Sequence, residues 1–143
     1  MPNLIVHYMF GKRILEKLPE NIRSTIDRPV YDFALAGPDV WFCGGYYNKR
    51  SALLSPRCDY MHKNKTGQFL VELLETTILS ENKKTLFSYL AGFLCHYCLD
   101  RTCHPYILYC TGNQSDHVKL ELAIDSFFIR KQYKCLPWHF KFN

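Results

Sequence analysis

No stretch of this sequence stays apolar for long enough to cross a bilayer. The longest, "LFSYLAGFLCHYCL", has 14 residues and contains His96, whereas a spanning helix needs about 20. The start "MPNLIVHYMFGKR" carries no basic residue ahead of its apolar part, and His7 interrupts that part. It therefore does not read as a secretory signal, and a cytoplasmic location is expected. A G-x-S-x-G elbow, a P-loop and a Rossmann fingerprint are all missing, which removes the commonest serine-hydrolase and nucleotide-binding readings. There is no long basic run, so the net charge of +5 suits a phosphate-bearing partner without naming one. Internal repeats, low-complexity tracts and linkers are also absent, and one domain over residues 1–143 is expected.

Cysteine is not scarce, but its pattern is incomplete. Seven cysteines without a leader imply reduced thiols. Cys95 and Cys98 form one C-x-x-C with Cys103 nearby, a half-site for structural zinc, but no second C-x-x-C accompanies it. On a helix Cys95 and Cys98 flank His96 instead of pointing with it. Buried, reduced core cysteines are the better expectation.

What is present is hydrophobic and helical. Apolar residues make up 48% of the chain and aromatics 15%, enough for a packed core. The spacing predicts a helix over residues 4–18, stopped by Pro19. One or two short helices follow over 20–36, ended by "GPD" at 37–39. Residues 40–64 read as a long loop with one helical turn. Thr66 is the expected cap of a helix through "GQFLVELLETTIL", and Ser80 that of a helix over about 81–104, where Pro105 should stop it. Ser115 is the expected cap of a last helix, about 116–132. The fold class is therefore all-α.

One segment stands apart. In "HYCLDRTCHP", His96, Asp100 and His104 step by four, so on a helix they form a ladder of side chains. The two histidine backbones then lie about 12 Å apart. With zinc–nitrogen bonds of about 2.0 Å, one ion does not take both from a rigid ladder. Two or more metals with Asp100 between them is the more natural reading. His117 and Glu121 make a second i, i+4 pair. With His7, Asp39 and His62 the chain offers eight nitrogen and oxygen ligands, which suits a multinuclear zinc cluster with open positions for water. Each piece alone has an ordinary explanation: most lone histidines are core or surface residues, and an H-x-x-x-E pair is usually a side-chain contact. The weight lies in the set.

The order of these residues resembles the zinc-dependent phospholipase C family, which is related to fungal single-strand nucleases and to the catalytic domain of glycosylphosphatidylinositol-specific phospholipase D. The matching stretches are "MPNLIVHYMFGKRILEKLP", "ALAGPDVWF", "MHKNKTGQFL", "YLAGFLCHYCLDRTCHPYI" and "HVKLELAID". The resemblance implies a compact multi-helix domain of the phospholipase C and zinc-nuclease type, or a shortened version of it, holding two to three zinc ions. One ion would take Asp39, His62, His96 and Asp100; a second His104, His117 and Glu121; a third His7 and a share of Asp100. That third ion would also take the amine of Pro2 once Met1 is removed. The implied activity is hydrolysis of phosphodiester bonds, most directly as a phospholipase C on phospholipid headgroups. Asp39 would orient or deprotonate a water, or serve as a ligand. The partner would be a phospholipid, with peripheral membrane contact. The alternatives are a zinc nuclease on single-stranded nucleic acid, and a shortened metal-binding relative without turnover.

Overall fold

The computed structural model describes residues 4–41, 60–62, 64–112 and 114–142, the side chains of 114 and 115 excepted. Every regular element among them is helical: α1 (Leu4–Lys17), α2 (Glu20–Arg23), α3 (Arg28–Ala34), a 3₁₀ turn (Gly37–Asp39), α4 (Thr66–Leu79), α5 (Lys83–Thr111), α6 (Gln114–Tyr133) and a second 3₁₀ turn (Pro137–His139). Residues 60–62 are helical as well. The all-α expectation holds. Most of the predicted loop, residues 42–59, lies outside the described residues, as does Pro2.

The chain divides into two compact units. Unit one comprises residues 1–17 and 95–143, and unit two residues 18–94. The continuous helix α5 supplies residues to both.

In unit two, Asp27 opens α3 by accepting from the Val30 N–H, with Pro29 in the first turn where its missing N–H costs nothing. The core gathers Tyr31, Ala34 and Leu35 with Leu90 and Phe93 of α5. Close approach of α3 and α5 depends on Gly92: a Cβ there would lie 2.4 Å from the Tyr31 carbonyl oxygen and 2.8 Å from Ala34 Cβ. Ser88 fastens the same contact. Its Oγ donates to the Lys84 carbonyl at 2.7 Å and accepts from the Asp27 N–H at 2.8 Å. Neither expected cap serves as one. Thr66 is the first residue of α4, after Lys65 at φ +51°, and donates its hydroxyl to the Met61 carbonyl. Ser80 is the C-cap residue of α4, and α5 begins only at Lys83; its hydroxyl accepts from the Asn82 N–H at 3.0 Å within the connection, so it does not cap α5 either.

In unit one, α1 and α6 pack together, with Tyr8, Met9, Leu15, Ile107 and Ile129 buried. The C-terminal segment lies on this core through aromatic edges: Phe142 meets Tyr8 at 5.3 Å and Phe140 meets Tyr133 at 4.8 Å. The expectation that Pro105 ends the helix is wrong. Helix α5 passes through it for 29 residues in all and stops at Gly112, whose φ of +63° suits a C-terminal cap. A proline inside a helix costs about 3 kcal/mol. Continuing the helix buries Ile107 to 2% exposure, a gain of roughly the same size. Tertiary packing overrides the local signal. The last helix begins at Gln114, so Ser115 lies inside it and not at its cap.

Candidate metal centre

Helix α5 presents His96 and Asp100 one turn apart, and α1 brings His7 against them. One oxygen of Asp100 faces His96 Nε2 at 3.1 Å, and the other faces His7 Nε2 at 3.2 Å. The two imidazoles stack on each other with centroids 4.0 Å apart. All three side chains are buried, none more than 5% exposed. This is the arrangement the four-residue spacing allows: one carboxylate between two rings on neighbouring helices.

The ladder's third rung joins a different group. His104, one turn beyond Asp100, faces α6, where Glu121 Oε1 lies 2.6 Å from His117 Nε2 and 3.9 Å from His104 Nε2. The potential ligand atoms of each trio lie within 4.8 Å of one another. So His96 and His104 separate into two clusters, as their 12 Å backbone spacing requires.

Within unit two, Asp39 and His62 are brought together: Asp39 Oδ1 is 3.2 Å from His62 Nε2, with both side chains half-buried. Asp39 closes the 3₁₀ turn, its N–H bonded to the Ala36 carbonyl at 3.0 Å. Gly37 at φ +53° permits the reversal that delivers it. "GPD" thus places a carboxylate as well as ending a helix. The sixth histidine, His139, sits exposed beside Trp138 and joins no cluster.

The donor chemistry fits zinc. In a tetrahedral site with bonds of about 2.0 Å, neighbouring ligand atoms are about 3.3 Å apart, close to the 3.1–3.2 Å spacings around Asp100. Burial holds the His117 imidazole below the ordinary histidine value, with Asp100 pulling weakly the other way. His117 is therefore neutral at neutral pH, the form that can ligate.

Thiolates fit poorly. No trio among the described residues contains a cysteine. Burial, and then the Asp100 charge, push the Cys103 thiol up, away from the thiolate form zinc needs. Cys95, Cys98, Cys103, Cys110 and Cys135 form no disulfide, but they are not core residues: Cys98 and Cys110 are exposed and the others half-buried. At about 100° per residue, Cys95 and Cys98 fall on the side of α5 away from His96 and Asp100.

A family model for zinc-dependent phospholipase C matches residues 6–143. The chain belongs to that family. No curated protein and no solved structure matches it. The family's helical fold agrees with the helices seen here, and its zinc dependence with the His, Asp and Glu trios. No described helix is long and apolar enough to cross a membrane.

One residue that the spacing argument passes over belongs with this candidate metal centre. Asp125 is 5% exposed and accepts from the backbone N–H groups of Val6 at 3.0 Å and Ile5 at 3.2 Å. Those are unsatisfied donors of the first turn of α1. Asp125 therefore caps, from another helix, the turn that carries His7. Burial raises its carboxyl to about 6, and the two N–H bonds oppose the rise. The signal was there to see: His117, Glu121 and Asp125 continue the step of four along α6.

Proposed function

We propose that this chain is a zinc-dependent hydrolase of phosphodiester bonds that acts on phospholipids. The observation that carries the reading is Asp100, buried with one oxygen toward His7 and the other toward His96. Burying a carboxylate costs several kcal/mol unless it is well compensated, and a carboxylate shared by two cations is well compensated.

In this reading His104, His117 and Glu121 hold one ion. His7 and His96 hold two more on either side of Asp100, and Asp39 with His62 supplies further ligands. Bound zinc would lower the pKa of a water toward 7 and neutralise charge on a phosphate. The protein's own share is orientation and proton handling. Stacking fixes the His7 and His96 rings, and Asp125 fixes the turn beneath His7. Asp39 is half-buried and so within reach of solvent. Its two oxygens allow it to act as ligand and also orient the attacking water and take up its proton.

Elemental analysis of the purified protein, paired with assays on phosphatidylcholine and on single-stranded DNA, tests this. Two to three zinc ions per chain and chelator-sensitive release of a phosphorylated headgroup are expected. Absence of zinc, with none taken up on addition, rules out the metal centre. Zinc with cleavage of DNA alone selects the nuclease reading. Zinc without turnover of either substrate selects a non-catalytic relative.

A further inference from the structure

Beside the two clusters, unit one contains a cavity of about 420 Å³ that the chemistry above does not use. It lies between α1, α5 and α6. Its walls are apolar, built from Met9, Phe10, Leu99, Ile107, Ile124 and Phe128. Ligand pockets generally fall between about 300 and 1,000 Å³ and have mostly apolar walls with a few polar groups. By size and lining this one qualifies.

Its position gives it a direction. Three lining residues are sequence neighbours of the clustered side chains: Val6 precedes His7, Leu99 precedes Asp100, and Cys103 precedes His104. On a helix each such neighbour points about 100° from the clustered side chain, so the cavity runs along the faces of α1 and α5 next to those that carry the imidazoles and carboxylates. From Val6 the cavity follows α1 to Arg13, two turns and about 10 Å along the axis. Arg13 is exposed there. Such a side chain lays its stem on apolar surface and keeps its charge in water, so it marks the mouth. An apolar cavity beside the face that carries phosphate chemistry, open to water where Arg13, Thr102 and Tyr106 line it, matches one ligand shape: a polar head with an alkyl chain.

We propose that this cavity binds an acyl chain of the phospholipid substrate, with the headgroup at the His and Asp clusters and the chain running toward Arg13. The proposal rests on the phospholipid reading above but can fail separately from it.

The test uses the full chain with metal chelated, so that no turnover occurs. Alkyl phosphocholines with tails of six to twelve carbons are titrated by calorimetry below their micelle concentrations. Each buried methylene should tighten binding about fourfold, until the tail outgrows the cavity and affinity levels off. Ile124→Trp on α6 fills the cavity and should abolish the chain-length dependence. Thr102→Trp, at an exposed lining position on α5, is the second filling variant, should the first fail to fold. Arg13→Glu should change affinity less than twofold. A tenfold loss there would reverse the orientation and overturn the proposal. So would affinity independent of tail length, or a length dependence that survives in a folded filling variant. With zinc restored, hydrolysis without any tail dependence sinks the cavity alone. Tail-dependent binding without hydrolysis sinks the phospholipase reading alone.

Discussion

The two units of this chain bury polar groups in opposite ways. Among the described residues of unit two the buried polar side chains are the hydroxyls of Thr77 and Ser88. Each donates to a carbonyl four residues earlier, at 2.7 Å. These are neutral groups satisfied locally, and they ask nothing of a ligand. Unit one instead buries His7, His96, Asp100, His117, Glu121 and Asp125, none more than 6% exposed. Each ionised group taken out of water costs several kcal/mol before its partners repay anything. Unit two shows that this sequence can build a packed helical interior without that expense. The ionisable interior of unit one is therefore organised for something other than folding, and a family that depends on zinc supplies the reason.

The sharpest way to break this contrast is through Asp100. Asp100→Asn keeps the shape and removes the charge shared between His7 and His96. It should lose more zinc per chain than Glu121→Gln, because Asp100 is placed to serve two ions and Glu121 one. Two cations without a bridging anion also repel each other. Activity should fall well beyond the roughly 10–100-fold seen when residues behind metal ligands are changed. Elemental analysis of both variants decides it: equal zinc loss refutes the bridge.

The next largest effect concerns Asp125 and reads unit one without its metal. Its folded-state value of about 6 lies above the ordinary 3.8. The folded state thus holds this proton more tightly than the unfolded state does. Below about pH 4 the group is neutral in both states and carries no penalty. Between pH 4 and 6 the penalty builds, and above 6 it is complete, on the order of 3 kcal/mol. Asp125→Asn removes the titration but turns an amide toward the Ile5 and Val6 N–H groups, a cost that does not depend on pH. Denaturant unfolding of both chelated proteins should therefore show the variant gaining on the parent as pH rises from 4 to 6.5. A pH-independent difference would mean that Asp125 is not buried as a carboxylate.

Unit two offers the complementary break, through packing. Gly92→Ala places a methyl 2.4 Å from the Tyr31 carbonyl oxygen, a backbone atom that cannot swing aside. Separating α3 from α5 should cost about 1–3 kcal/mol. Thermal unfolding should register that loss. The folded fraction, measured in parallel, should keep at least one zinc per chain, because His104, His117 and Glu121 all belong to unit one. Loss of all bound zinc in a folded Gly92→Ala protein would contradict that assignment.

How much of this was legible beforehand follows from what each signal depends on. Residue spacing is a property of one helix, so the rungs His96, Asp100 and His104 and the pair His117 and Glu121 could be read directly. Which rung meets which neighbour depends on other helices. Spacing alone could say that His96 and His104 part company, but not that His7 would stack on His96. Asp125 continues the step of four on α6, but its role was not legible, because its partners are backbone N–H groups about 120 residues away. Pro105 misled for a related reason. Its local preference is real, but the burial of Ile107 that outweighs it is a tertiary quantity. Thr66 misled as well, since a threonine before an apolar run suits the first helical position as well as the cap.

The smallest expected effect is also a discriminating one. Cys95 and Cys98 lie on α5 on either side of His96, and a C-x-x-C so close to a buried histidine invites a thiolate site. The geometry of a helix argues otherwise. Stepping 100° per residue, His96, Asp100 and His104 span an arc of about 80°, and Cys95 and Cys98 fall on the far side of the helix from it. Exposure agrees, with Cys98 open to solvent and Cys95 half-buried. Replacing both by serine removes two sulfur atoms that belong to no ligand trio among the described residues. Stability should shift by less than about 1 kcal/mol, and zinc content and hydrolysis should match the parent protein. If the double variant binds one zinc fewer per chain, a sulfur-ligated ion exists on the outer face of α5. The contrast between the units would then stand on a different set of ligands from the one drawn here.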